Sequence, residues 1–127
     1  MSEFAVFRGF LDPEDREQKS DRRCVVLGML DGGRVLLAPV TSYPARKGLV
    51  VPPGSVLLTK ESPAYKGSGF TVDAVAINIK DVLMTNLDSR WCKNLERVGT
   101  LRILRDKRLA DNLIGLMRQY GLKPRTA

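Results

Sequence analysis

The stretch CVVLGMLDGGRVLLAPV, residues 24–40, decides the fold class. Residues 24–30 and 35–40 are two short runs that are apolar at nearly every position. Asp31, Gly32 and Gly33 lie between them, and glycines accept the positive φ values that tight hairpin turns require. Apolarity at almost every position, in place of strict alternation, predicts strands buried on both faces. Strands joined by a tight turn pair antiparallel, so the start of the first lies beside the end of the second. Glu17-Gln18-Lys19-Ser20-Asp21-Arg22-Arg23 leads into the first run, and Thr41-Ser42 follows the second. Arg22 and Arg23 are therefore expected beside Thr41 and Ser42 at one end of a sheet.

Working outward, residues 3–11 carry Phe4, Val6 and Phe10 in rough alternation and read as a short first strand. Residues 12–21 are a charged, turn-rich loop, and residues 41–48 a polar, basic one. A strand end and turn over 50–54 precede another short strand at 55–59, then a Gly/Ser/Pro-containing loop at 60–69. Residues 71–85 form a long β-branched stretch, read as a strand with a bend or break. Leu87, Trp91, Leu95 and Val98 follow helical spacing, with Gly99 as the stop. Residues 100–104 read as a last short strand. Leu109, Leu113, Leu116, Met117 and Tyr120 make an apolar stripe with Asp106 as N-cap and Gly121 after the last turn. The sum is one α+β domain over residues 1–127: a small, strongly curved antiparallel sheet or barrel closed by amphipathic helices.

Composition narrows the chemistry. Of 127 residues, 21 are Lys or Arg and 14 are Asp or Glu, a formal charge of +7, and there is no histidine. That excludes Ser-His-Asp and Cys-His catalytic pairs, His-ligated zinc and an imidazole proton shuttle. The positive surplus predicts attraction to polyanions that weakens as salt rises. Cys24 and Cys92 have no close-spaced partner and read as small buried hydrophobes of a reducing compartment. Neither a signal peptide nor a bilayer-length apolar run is legible, so a cytoplasmic location is the expectation. With no CxxC pair and no carboxylate cluster at metal spacing, neither a bound metal nor a cofactor is expected.

A guanidinium beside a hydroxyl suits a phosphate, because arginine offers fixed, permanently charged donors and Thr or Ser adds a short one. The plain alternative is that Arg22 and Arg23 are solvated loop charges and Thr41 merely ends a strand. Tyr43, Arg46 and Lys47 read either as part of an RNA groove, with Tyr43 stacking on a base, or as an ordinary basic loop. Lys60, Tyr65 and Lys66 form a similar group in a loop able to close over a ligand. Trp91 reads as a packing anchor, and Arg102, Arg105, Lys107 and Arg108 as a solvated face.

The segment EQKSDRRCVVL resembles the E-Q-x-x-x-R-P-x-V-V-L stretch of the MazF/PemK-type toxin endoribonucleases. LLAPVTSY is similar to that family's second hydrophobic strand with its polar ending. Leu11-Asp12-Pro13 resembles its loop entrance, AINIKDV its A-D-Q-V-K-S-I strand, and Val98-Gly99-Thr100-Leu101 its V-G-x-L ending. The likeness runs over residues 10 to 120. It implies an SH3-like β-barrel, a homodimer, and metal-independent cutting of single-stranded RNA. The 2′-OH would attack the adjacent phosphorus and leave a 2′,3′-cyclic phosphate, and a cognate antitoxin would be the protein partner. Carried over by position, the family's catalytic residues fall on Arg22, Thr41 and Glu17, with Gln18, Arg23, Ser42, Tyr43, Arg46 and Lys47 as RNA-binding candidates. Three positions depart from the pattern: Arg23 replaces the family's proline, Ile77 its acidic residue and Asn78 its glutamine. These departures keep Arg23 open as the functional arginine. They also keep open a catalytically degenerate barrel that binds nucleic acid or a protein partner without cleavage.

Overall fold

A computed structural model describes residues 3–9, 22–29, 34–42, 51–86 and 96–122. The stretch that decides the fold forms two long antiparallel strands, β2 (Arg22–Met29) and β3 (Arg34–Ser42). Strand β1 (Glu3–Gly9) pairs with β2 on its far side. Beyond β3 come β4 (Ser55–Thr59) and β5 (Ala74–Asn78), and β6 (Leu83–Asn86) pairs with β3 at its other end. Strand β7 (Glu96–Arg102) lies against β1, so the sheet order is β4-β5-β3-β2-β1-β7 with β6 beside β3. All the pairings are antiparallel. The sheet curls into a half-barrel, and one C-terminal helix, α1 (Lys107–Gln119), packs against it.

The expectation of burial on both faces holds for the central hairpin. Val25, Leu27, Leu36, Ala38 and Val40 belong to the main core inside the curl. Cys24, Val35 and Leu37 join a second apolar cluster with Phe7 and Val26 on the other side of the sheet. Period-two alternation of apolar residues on both parities is what removes the polar face. Cys24 is fully buried. The hairpin turn at 31–33, Trp91 and Cys92 lie outside the described residues.

The helix forms where its stripe and caps predict. Leu109, Leu113 and Met117, spaced four apart, bury one face together with Ala110. At its start the Asp106 side chain accepts a hydrogen bond from Leu109 N (3.1 Å). At its end Gly121, at φ 72°, donates to Arg118 O, and Leu122 N donates to Met117 O at 2.8 Å. That pair of bonds is the Schellman arrangement, which favours glycine at the left-handed position.

Two readings need correction. Val98 and Gly99 do not end a helix, because both lie inside β7; the rest of that expected helix, 87–95, is outside the described residues. The last strand starts at Glu96 and is followed by a short 3-10 turn, Ile103–Arg105. The break expected within 71–85 is present, dividing the stretch into β5 and β6: Asn78 takes the bend, its Nδ2 donating to Asp81 Oδ2 (2.9 Å) and its Oδ1 accepting from Asp81 N (3.0 Å).

Residues 60–73 act as a strap across the open side of the half-barrel. Gly67 O accepts from Thr100 N of β7 (2.8 Å), and Gly69 O accepts from Arg23 Nε of β2 (2.9 Å). Tyr65 fastens the strap to itself, its hydroxyl within reach of Phe70 O (3.0 Å) and Val72 O (2.6 Å). Ser62 Oγ donates to Asp106 Oδ2 at 2.7 Å, joining the strap to the N-cap of α1. Glycine is needed on both sides of the contact. A Cβ on Gly99 would run into the Gly67 carbonyl and Ser68, and Gly69 has φ 84° with the Val98 carbonyl against it. No helix among the described residues is long and apolar enough to cross a membrane.

Candidate nucleic-acid site

The ladder between β2 and β3 builds the site. Arg23 pairs with Val40, so the next step along the same register sets position 22 beside Thr41. On their outer neighbours, Arg22 pairs with Gly9, and Thr41 and Ser42 pair with Ala76 and Val75 of β5. Thr41 and Ser42 are both exposed at this end of the sheet. The exposed Thr41 and the backbone of position 22 thus stand level at this end of the hairpin, with Ser42 on the opposite face of the sheet.

Arg23 has a different position from its neighbour. It shares a row with Val40 and Ile77, which face the core, and its Nε is taken up by the strap carbonyl of Gly69. A guanidinium held this way closes the barrel, which is a positioning job. The other departures from the family pattern are equally structural. Ile77 is fully buried among core residues, and Asn78 shapes the turn described above. A carboxylate at position 77 would sit in the core, at the cost of burying a charge.

Two residues at this end were missed by sequence reasoning. Arg8 of β1 pairs with Arg23, and across its other side with Glu96 of β7. The register therefore runs Glu96, Arg8, Arg23, Val40 across four strands, with Arg22 one step away. Arg8 and Glu96 are exposed. Arg8 and Arg23 share the face of the sheet that carries Val6, Val25 and Val40, whereas Thr41, one step along β3 from Val40, is on the opposite face. Pairing β1 with β2 would have revealed Arg8, but 12 intervening residues, 10–21, carry no local signal of that pairing.

Glu17, Gln18, Tyr43, Arg46 and Lys47 lie outside the described residues. Tyr65 spends its hydroxyl on the strap, while Lys60 makes an exposed 3.6 Å ion pair with Asp73. Arg105, Lys107 and Arg108 are exposed at the start of α1, away from Thr41. Among the described residues no group of three or more His, Cys, Asp or Glu is placed to hold a metal ion. A groove of about 840 Å³ lies between β4 and α1 and is lined by none of the residues at the arginine end.

Comparison with family models, with curated proteins and with solved structures gives no match to this chain.

Proposed function

We propose that the chain is an endoribonuclease of the MazF/PemK type, an SH3-like barrel that cuts single-stranded RNA without a metal ion. What supports the reading is the β2–β3 register: continued one step from the Arg23–Val40 pair, it brings position 22 level with the exposed Thr41.

In this mechanism the ribose 2′-oxygen attacks the adjacent phosphorus and the bond from phosphorus to the 5′-oxygen breaks. The 2′-OH gives up its proton and the leaving 5′-oxygen gains one, leaving a 2′,3′-cyclic phosphate and a 5′-OH. Arg22 stabilises the charge that builds on the phosphorane, and Thr41 donates to a nonbridging oxygen. An arginine is too weak a base to take the 2′ proton, so Glu17 supplies that function or orients Arg22. A homodimer, a cognate antitoxin and a cytoplasmic location belong to the same proposal.

The test is cleavage of single-stranded RNA in EDTA, with product ends assigned as cyclic phosphate. Replacing Arg22 by Ala together with Thr41→Val is expected to slow cleavage by about 100-fold or more. RNA that stays intact with the native chain, or is cut equally by the double variant, refutes the enzymatic reading. Ile77 favours the second reading, binding without cleavage, because it fills with a core aliphatic the position where the family carries an acid. Salt-sensitive retention of uncut RNA would establish that reading.

A further inference from the structure

The two edges of the sheet are finished differently. Edge strand β7 carries Glu96, Arg97 and Arg102, and the strap covers part of it through the Thr100–Gly67 bond. Edge strand β4, Ser-Val-Leu-Leu-Thr, has neither charge nor proline nor bulge. Sheets normally guard such an edge, since it is a template for another strand.

The hydrogen bonds show which atoms β4 leaves open. Lys60 N donates to Asp73 O and Ile79 N to Gly54 O, so positions 54, 56, 58 and 60 point their backbone groups at β5. Positions 55, 57 and 59 consequently point theirs the other way. Ser55 N is used by Pro52 O, and Thr59 O by Ser62 N. Among the described residues that leaves both backbone groups of Leu57, the Ser55 carbonyl and the Thr59 N–H facing outward. The Leu57 side chain is 37% exposed at the same place.

This edge forms one wall of the 840 Å³ groove, and α1 forms the other through Arg108, Asp111, Asn112, Gly115 and Gln119. From Arg108 to Gln119 the helix rises about 16 Å, the length of roughly five residues of extended strand. Gly115 stands midway, with nothing within 4 Å of where a Cβ would be. The groove admits one strand and not a second sheet. A second copy pairing through its own β4 would bring its own α1 into the same space. Asp106 and Asp111 against Arg108 leave the lining with a net negative charge, opposite in sign to the chain as a whole.

We propose that β4 and α1 form a docking groove for an extended peptide segment of another protein. About five residues of that segment add to the sheet at Leu57, with a basic side chain near Asp111. Main-chain bonds would supply the register and the groove walls the selectivity. The proposal is independent of the ribonuclease reading, because the groove shares no residue with the arginine end.

The test follows backbone amide exchange by NMR on the full chain, titrated with a capped heptapeptide of alternating threonine and valine containing one arginine. Peptide is expected to slow exchange at Leu57 and Thr59. Substituting glutamate for its arginine is expected to weaken binding. Gly115→Leu should fill the groove and weaken binding by at least about tenfold, while the thermal midpoint does not fall. Leu57→Pro, which removes an N–H that β5 does not use, should abolish it. Four results would overturn the proposal. Leu57 could already be protected in the free chain, its own residues covering the edge, or self-association could protect it. Gly115→Leu could bind as well as the native chain, or a single-stranded oligoribonucleotide could protect Leu57 where the peptide does not.

Discussion

Removing the Asp106 carboxylate should disconnect two parts of the molecule at once. Its Oδ1 accepts from Leu109 N and caps α1, while its Oδ2 accepts from Ser62 Oγ and ties the strap to the helix. Loss of an aspartate N-cap costs about 1 kcal/mol. Loss of a hydrogen bond to a charged acceptor costs about 1.5 kcal/mol, less where water reaches the site. Asp106→Ala is therefore expected to destabilise by about 2 kcal/mol, a fall of about 7 °C in Tm for a domain of this size. Urea denaturation measures it as a lower midpoint at unchanged m-value. In a double-mutant cycle with Ser62→Ala, about 1 kcal/mol should appear as coupling between the two residues. The Ser62 hydroxyl and the Leu109 amide hold the Asp106 carboxyl below its ordinary value. A carboxyl with a lowered folded pKa contributes stability that is present above its unfolded pKa and lost as pH falls through the folded one. The loss from this group should therefore occur below about pH 4, and Asp106→Asn should remove it while keeping most of the cap. Additive effects of Ser62→Ala and Asp106→Ala, with coupling near zero, would refute the tie between strap and helix.

Two further outcomes follow from the packing. Gly99→Ala places a methyl group against the Gly67 carbonyl and Ser68; a loss of about 1–3 kcal/mol is expected, with faster amide exchange at Thr100. Leu113→Ala removes a fully buried side chain from the helix–sheet core and should cost about 2–5 kcal/mol by chemical denaturation.

The central hairpin and the closing helix were legible in the sequence because their signals are local. A turn between two apolar runs sets an antiparallel register, and a cap, a stripe and a glycine mark a helix. That same register brings position 22 level with Thr41. Val98 and Gly99 misled because three or four residues of apolar spacing cannot distinguish a helix end from a strand. What makes Gly99 a glycine is the strap some thirty positions earlier in the chain, a demand that no local window contains. The place of Arg23 was hidden for the same reason: the partner that claims it is Gly69. Arg8 went unnoticed because the pairing of β1 with β2 is not announced by the residues between them.

The strap also bears on how the chain folds. Its tie from Gly69 to Arg23 spans 46 positions, and that from Ser62 to Asp106 spans 44. Closing such loops costs chain entropy before the bonds return anything, whereas the β2–β3 hairpin closes locally. The strap can fasten only after β2, β7 and the start of α1 have come together, so docking after the rate-limiting step is the expected order. Weakening Arg23 or Ser62 should then leave the folding rate almost unchanged and accelerate unfolding, so the strap governs how long the native molecule lasts.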